Sequence, residues 1–402
     1  MSTNSQYALF VVARLSGILV KPLILFLLLR FGLNEISIHY SKLLICLYSI
    51  YSIFKVPIHF NFYKKEFSTS IQKEEEKRFT RNKYIFRSIN LSKILFPISF
   101  IFCSIIFWDL FFGFFVSLLL LSEKYFDEVQ RYQQYKKDFF RWSILFLSKS
   151  YIPVIVVILF IYFNLDNLIF PGLVFSSLMS NLIFSFKLSE LRLNRKTKIF
   201  FTRIISYLLL FKSIIFEQGS RYLLIIFTAI FFQVDRLYIS LFYNSQNLAE
   251  ISSMAQILNI MPIGISYFYI HINKAAFTRK DHAFLLNLFG LKMIAIMLLL
   301  LFLATSVVVF QYFYFDWVNI FSKNFIIFYI LAFLVLGIDL ILNEYQFWNE
   351  SPSMLLFIEI ITLAIFIILV LILGIGYLSF AFFISATLKL LSHFYLLKLN
   401  ES

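Results

Sequence analysis

Residues 214–243 read IIFEQGSRYLLIIFTAIFFQVDRLYISLFY. An α-helix crosses a bilayer in ~20 apolar residues at about 1.5 Å each, and this stretch exceeds that length. It nevertheless carries Glu217, Arg221 and Asp235. About five turns at 3.6 residues per turn separate Glu217 from Asp235, so an unbroken helix points them the same way. Arg221 and Thr228 fall within about 40° of them on that wheel. A charge at the bilayer centre costs roughly 2.5–3.5 kcal/mol on insertion scales. The stripe is therefore expected to face water or a partner helix, not lipid.

Composition places the rest of the chain around this stretch. Of 402 residues, 60% are hydrophobic and 14% charged, too little polar surface for a soluble domain of this size. The fold class expected is an all-α polytopic membrane protein. Twelve spans are read, at roughly 7–31, 37–63, 88–107, 108–123, 142–163, 167–187, 213–243, 248–272, 283–311, 323–345, 353–373 and 376–397. The fourth is short and is expected to continue as a helix through the charged stretch 123–141. No ten-residue alternation suggests a barrel strand. The first apolar run holds Arg14 and Lys21 and is too long for a leader's apolar core, so no cleavable signal is expected. Cys46 and Cys103 sit in apolar runs and suggest neither a disulfide framework nor a metal site.

A net charge of +14 would suit nucleic acid, but its distribution does not. Basic residues crowd the loops 64–87, 124–141, 188–212 and 273–282, including Lys64, Lys124, Arg192 and Arg279. Arg30, Lys42, Arg236 and Lys323 are what the other side holds. The bias reads as a topology signal with N- and C-termini cytoplasmic, and no nucleic-acid partner is expected. The outer loops are short turns such as 164–167 and 244–247, leaving no room for an outer catalytic domain. The run 64–83 reads as a solvated surface helix.

The two halves echo each other. Ile58-His59-Phe60-Asn61 meets Ile270-His271-Ile272-Asn273 at an offset of 212, and Asp127-Glu128-Val129-Gln130 meets Asn343-Glu344-Tyr345-Gln346 at 216. The expected organisation is a 6+6 internal repeat: one six-helix lobe over 1–212, a second over 213–402, and a central cavity between them. Six is even, so both lobes cross the membrane in the same sense, a plan known among transporters.

Polar residues at helical spacing mark the spans facing that cavity. Arg14 and Lys21 share a face of span one. Ser41, Tyr48, Ser52, Lys55 and His59 share one in span two, and Ser252, Gln256, Asn259 and Ser266 one in span eight. The serines and amides suit helix-to-helix bonding. Arg14, Lys21, Lys55 and Arg221 are read as cavity cations, because intramembrane cations mark pathways. Snorkelling is the rival reading for Lys55, and it extends to Lys149, Lys292 and Lys389. A cationic cleft concentrates anions, and arginine matches phosphate through its planar fork. The cargo indicated is an anionic amphiphile or lipid-linked substrate. Glu217, Asp235, Asp339 and Glu359 are the intramembrane acids, read either as ion-coupling groups or as structural partners of Arg and Lys.

The chain resembles the Wzx-type O-antigen flippases, within the multidrug/oligosaccharidyl-lipid/polysaccharide exporter superfamily. The likeness rests on twelve spans in two sixes and on Asp235-Arg236-Leu237-Tyr238-Ile239 followed by Asn247-Leu248-Ala249-Glu250-Ile251. It extends to Arg30-Phe31-Gly32 after span one and to Glu128, Arg131 and Gln134 ending span four. The resemblance implies a bacterial inner-membrane transporter, not an enzyme, with no cofactor and no metal. It implies movement of an undecaprenyl-pyrophosphate-linked oligosaccharide, an O-antigen or capsular repeat unit, between leaflets by alternating access. Arg14, Lys21 and Arg221 would hold the pyrophosphate or acidic sugars. Membrane lipids, a polysaccharide polymerase and a chain-length regulator are the further partners implied. The rival readings are an O-antigen polymerase and a drug or cation exporter of the same fold.

Overall fold

The computed structural model describes residues 3–55, 74–135, 139–186, 200–242, 247–262, 264–265, 291–315, 317, 321–349 and 352–399. Among them thirteen α-helices occur and no strand. They are α1 (Thr3–Arg30), α2 (Asn34–Tyr48), α3 (Glu74–Phe107), α4 (Leu110–Tyr135), α5 (Phe139–Tyr162), α6 (Asp166–Phe186) and α7 (Phe200–Phe231). There follow α8 (Val234–Phe242), α9 (Leu248–Leu258), α10 (Leu291–Tyr314), α11 (Lys323–Asn349), α12 (Pro352–Leu373) and α13 (Leu378–Leu399). Seven helical stretches among the described residues are long and apolar enough to cross a membrane, eight if a bent pair counts as one span. Large apolar side chains stand fully outward, among them Phe216, Phe302, Leu371 and Ile372. That is a surface suited to acyl chains, since water would penalise so continuous an apolar exterior.

The chain divides into two compact units. The first comprises Met1–Ile230 with Ser240–Ala249, the second Phe231–Ile239 with Glu250–Ser402. In the first, α1 packs on α5, α3 on α4, and both α4 and α5 on α6. In the second, α11 and α12 both pack on α13. Helices α4, α5 and α6 begin at 110, 139 and 166; α11, α12 and α13 begin at 323, 352 and 378, which is 213, 213 and 212 residues later. The same three-helix arrangement thus recurs at the offset found in the short sequence matches.

Local chemistry explains where helices stop and how closely they cross. Between α3 and α4 the chain reverses at Trp108, which takes φ +55°, and the Phe112 N–H donates to Asp109 Oδ1 at 3.0 Å. This is an N-cap by a carboxylate, which satisfies a helix-end donor. Gly113 lets the two helices meet there, because a Cβ would fall 2.7 Å from the Ser104 Cα. Helix α4 continues from the fourth span to Tyr135, as its charged extension suggested. The run 64–83 is described only from Glu74, where it is already part of the helix that becomes span three.

Two expectations are corrected. Span seven is not one straight helix. Gln218 leaves helical geometry (φ −138°, ψ 22°), and Gln218–Phe231 and Val234–Phe242 meet at a 70° bend. Asp235 therefore starts a new short helix, where a carboxylate is favoured by the helix dipole. The common face drawn from Glu217 to Asp235 presupposed an unbroken wheel and does not hold. Span two likewise tightens after Tyr48 into a 3₁₀ turn, Ile50–Phe54. A 3₁₀ turn has three residues per turn, so the α-helical arc does not carry past Tyr48 to Ser52 and Lys55. His59 and the tetrad 270–273 lie outside the described residues.

Candidate functional site

Lys21 on α1 is half-buried, and its Nζ donates to Tyr48 Oη at 3.1 Å from above the ring, 4.2 Å from the centroid. One turn further, Tyr51 Oη donates to Asp127 Oδ2 of α4 at 3.2 Å. The exposed Lys55 ammonium lies 5.5 Å from the Tyr51 ring centroid. Tyr222 on α7 donates to the Ile53 carbonyl at 2.6 Å, and half-buried Arg221 precedes it. Two predicted cations, Lys21 and Lys55, thus share one strip of tyrosines on α2 and its 3₁₀ turn. A third, Arg221, belongs to a helix pinned to the same turn. The Arg14 side chain lies outside the described residues; its backbone is two turns before Lys21 in α1. An ammonium over a tyrosine face is attracted by the ring quadrupole.

The first unit also holds close ion pairs. Lys124 and Glu128 are fully buried on α4, 2.7 Å apart, and Ser88 of α3 donates to the same Glu128 oxygen at 2.8 Å. Lys149 of α5 pairs with Glu123 and lies 4.3 Å from the Phe126 ring centroid. Lys124, counted above as a loop charge, is thus a core residue, whereas the Lys149 pair is partly exposed.

The second unit concentrates the intramembrane acids. Asp235 pairs with Arg236 at 3.1 Å, both side chains buried, and accepts from Tyr329 of α11. Arg236 also donates to the Phe232 carbonyl, holding the break before α8. It is therefore no outer-loop charge. Asp339 of α11 and Glu359 of α12 converge on Lys389 of α13: its Nζ is 3.1 Å from Asp339 Oδ2 and 2.8 Å from Glu359 Oε1. His393 Nδ1 lies 2.7 Å from Asp339 Oδ1, and Asn343 donates to Glu359 Oε1 at 3.1 Å. The four ionisable side chains show no exposed surface. The snorkelling reading of Lys389 is overturned, because its two carboxylates lie inward.

His393 and Asn343 were not singled out in sequence. The available signal was Lys389 and His393 four residues apart, on one face of the last span. The side chains of Glu217 and Lys292 lie outside what the structure describes, though both backbones are helical. Ser252, Ser253, Gln256 and Asn259 are buried, and Ser253 donates to Gln311 Oε1 of α10 at 3.1 Å, a helix-to-helix bond. Both cysteines are buried free thiols.

Helix order, repeat and apolar exterior define an all-α polytopic membrane protein on a twelve-helix, two-lobe plan. The solved structure described as "Lipid II flippase MurJ, inward closed conformation" shares this fold, with a TM-score of 0.61 and 12% identity over 97% of this chain and 87% of that one. No family model matches the sequence. No curated protein matches it either.

Proposed function

We propose that this chain is a flippase of the multidrug/oligosaccharidyl-lipid/polysaccharide exporter superfamily. It carries a phosphorylated, lipid-linked saccharide from the cytoplasmic to the outer leaflet of the bacterial inner membrane, by alternating access of lobes 1–212 and 213–402. The cargo proposed is an undecaprenyl-pyrophosphate-linked O-antigen or capsular repeat unit, passed on to a polymerase and its chain-length regulator. The observation that carries this reading is the placement of Lys21 and Lys55 on one tyrosine strip beside the Arg221 helix, in a chain with a lipid-precursor flippase fold. Arg14, Lys21, Lys55 and Arg221 take the role of phosphate ligands, since charge-assisted hydrogen bonds from ammonium and guanidinium groups suit a pyrophosphate. Glu217, Asp235, Asp339 and Glu359 are the carboxylates proposed for ion coupling, with a proton as the ion that Asp339 and Glu359 could carry.

The test is reconstitution with a fluorescent undecaprenyl-pyrophosphate glycan whose label can be quenched from one side. Purified protein in vesicles is expected to expose inner-leaflet label to the quencher. Alanine at Arg14, Lys21 or Arg221 should abolish that exposure while the protein still inserts. Unchanged flipping by all three variants would refute the site. In cells, loss of the protein should strand single units on the inner leaflet. A change in polymer length with units still crossing would favour a polymerase instead.

A further inference from the structure

The buried cluster on α11, α12 and α13 contains more than the carboxylates proposed for coupling. Two carboxylates from two helices point at one spot, and a third helix delivers an ammonium to it. The spot is built for a monovalent cation. Oxygens approach at 2.8 and 3.1 Å, and the rings of Phe231 and Phe232 stand 4.7 and 5.8 Å from the nitrogen. Asn343 steadies Glu359, and His393 steadies Asp339. Gln346 of α11 donates to the His393 backbone carbonyl at 2.8 Å, a further tie between α11 and α13. Among the described residues no three His, Cys, Asp or Glu side chains converge to hold a metal ion. The centre of the cluster is Lys389.

We propose that Lys389 is a tethered resident cation, occupying a seat that would otherwise take a free monovalent ion. Two buried carboxylates without a counter-charge cost several kcal/mol each, so the seat needs a cation to exist. A free ion must be drawn from solution at its own concentration. A side chain on α13 is always at hand, at the high effective concentration of any tethered ligand. A sodium or potassium ion entering the seat would have to evict the ammonium and leave it buried without a partner. The ammonium therefore fills the seat between the two carboxylates, and the cluster does not exchange alkali cations. Asp339 and Glu359 thereby become a fixed clamp joining three helices, and any sodium or potassium coupling must use another site. This follows from the geometry of the second unit and stands whether or not the cargo is a lipid-linked saccharide.

The experiment compares thermal unfolding of the full chain in chloride salts of sodium, potassium, methylammonium and choline at equal ionic strength. Wild type is expected to unfold at the same temperature in all four. Lys389→Ala is expected to unfold earlier in choline and to recover saturably with methylammonium and potassium, because the emptied seat accepts small cations and rejects a bulky one. The double variant Lys389→Met with Glu359→Gln removes one charge of each sign and should show no cation dependence. Specific stabilisation of wild type by sodium or potassium over choline that disappears in the Lys389→Met, Glu359→Gln double variant would place ion exchange in this cluster and overturn the proposal. So would a folded Lys389→Ala that ignores all four cations. Flipping assays are not part of this readout, so failure of the transport reading and failure of the tethered cation are separable.

Discussion

The five lysines placed above meet three different fates, and their neighbours decide which. Lys21 and Lys55 rest on tyrosine rings. Lys124 and Lys389 are sealed against carboxylates with no exposed surface. Lys149 is a partly exposed pair member. Mutation should sort them. Lys124→Met leaves Glu128 buried with Ser88 as its other described partner, and removing one member of a buried pair costs about 3–5 kcal/mol. Early thermal unfolding and poor recovery of folded protein are expected, in contrast to Lys21→Ala, which should melt near wild type while losing transport. Equal melting of the two variants would show that burial does not separate structural from functional cations here. Tyr48→Phe keeps the ring and loses the hydroxyl that accepts from Lys21. It should therefore reduce transport less than Lys21→Ala does.

At the scale of elements, apolar length was the dependable signal. The spans read near 88–107, 142–163, 323–345, 353–373 and 376–397 correspond to α3, α5, α11, α12 and α13, because twenty apolar residues in lipid have few alternatives to a helix. What the residues did not disclose was where a helix breaks. The bend before Val234 involves neither glycine nor proline, and its visible support is the Arg236 bond to the Phe232 carbonyl and the acid at the start of α8. The stripe argument failed there, since a helical wheel assumes continuity. Pairing across helices was equally hidden: Asp339 and Glu359 were recognisable as buried acids, but their meeting at Lys389 depends on three helices packing in a particular rotation. Gly113 gives an element-scale test. Gly113→Val places branched atoms against the Ser104 backbone, where even a Cβ is too close. Overpacking of this kind costs about 1–3 kcal/mol, so a lower unfolding temperature is expected. An unchanged value would mean that α3 and α4 can part without loss.

At the scale of the whole molecule, the repeat constrains topology. Helices recur 212 or 213 residues apart with the same packing inside each unit, and the 6+6 plan expected from sequence has an even number of spans per half. With basic loops held inside, the expected orientation puts both termini in the cytoplasm and the turn between α5 and α6 outside. The native cysteines suit a direct test, because Cys46 and Cys103 are buried and should stay silent to a charged thiol reagent. Asn164 is exposed in that turn with φ +53°. Asn164→Cys should be labelled by an impermeant maleimide on intact cells, after removal of any outer membrane. Ser402→Cys should be labelled only once the inner membrane is opened. The reverse pattern would invert the protein and place the basic loops outside, against the charge bias. Labelling of both positions from outside would put the α5–α6 turn and the C-terminus on one side, and the chain between them would then cross the membrane an even number of times. Six spans after a cytoplasmic middle loop require an odd number between those points, so that outcome would exclude the 6+6 plan while leaving each helix intact.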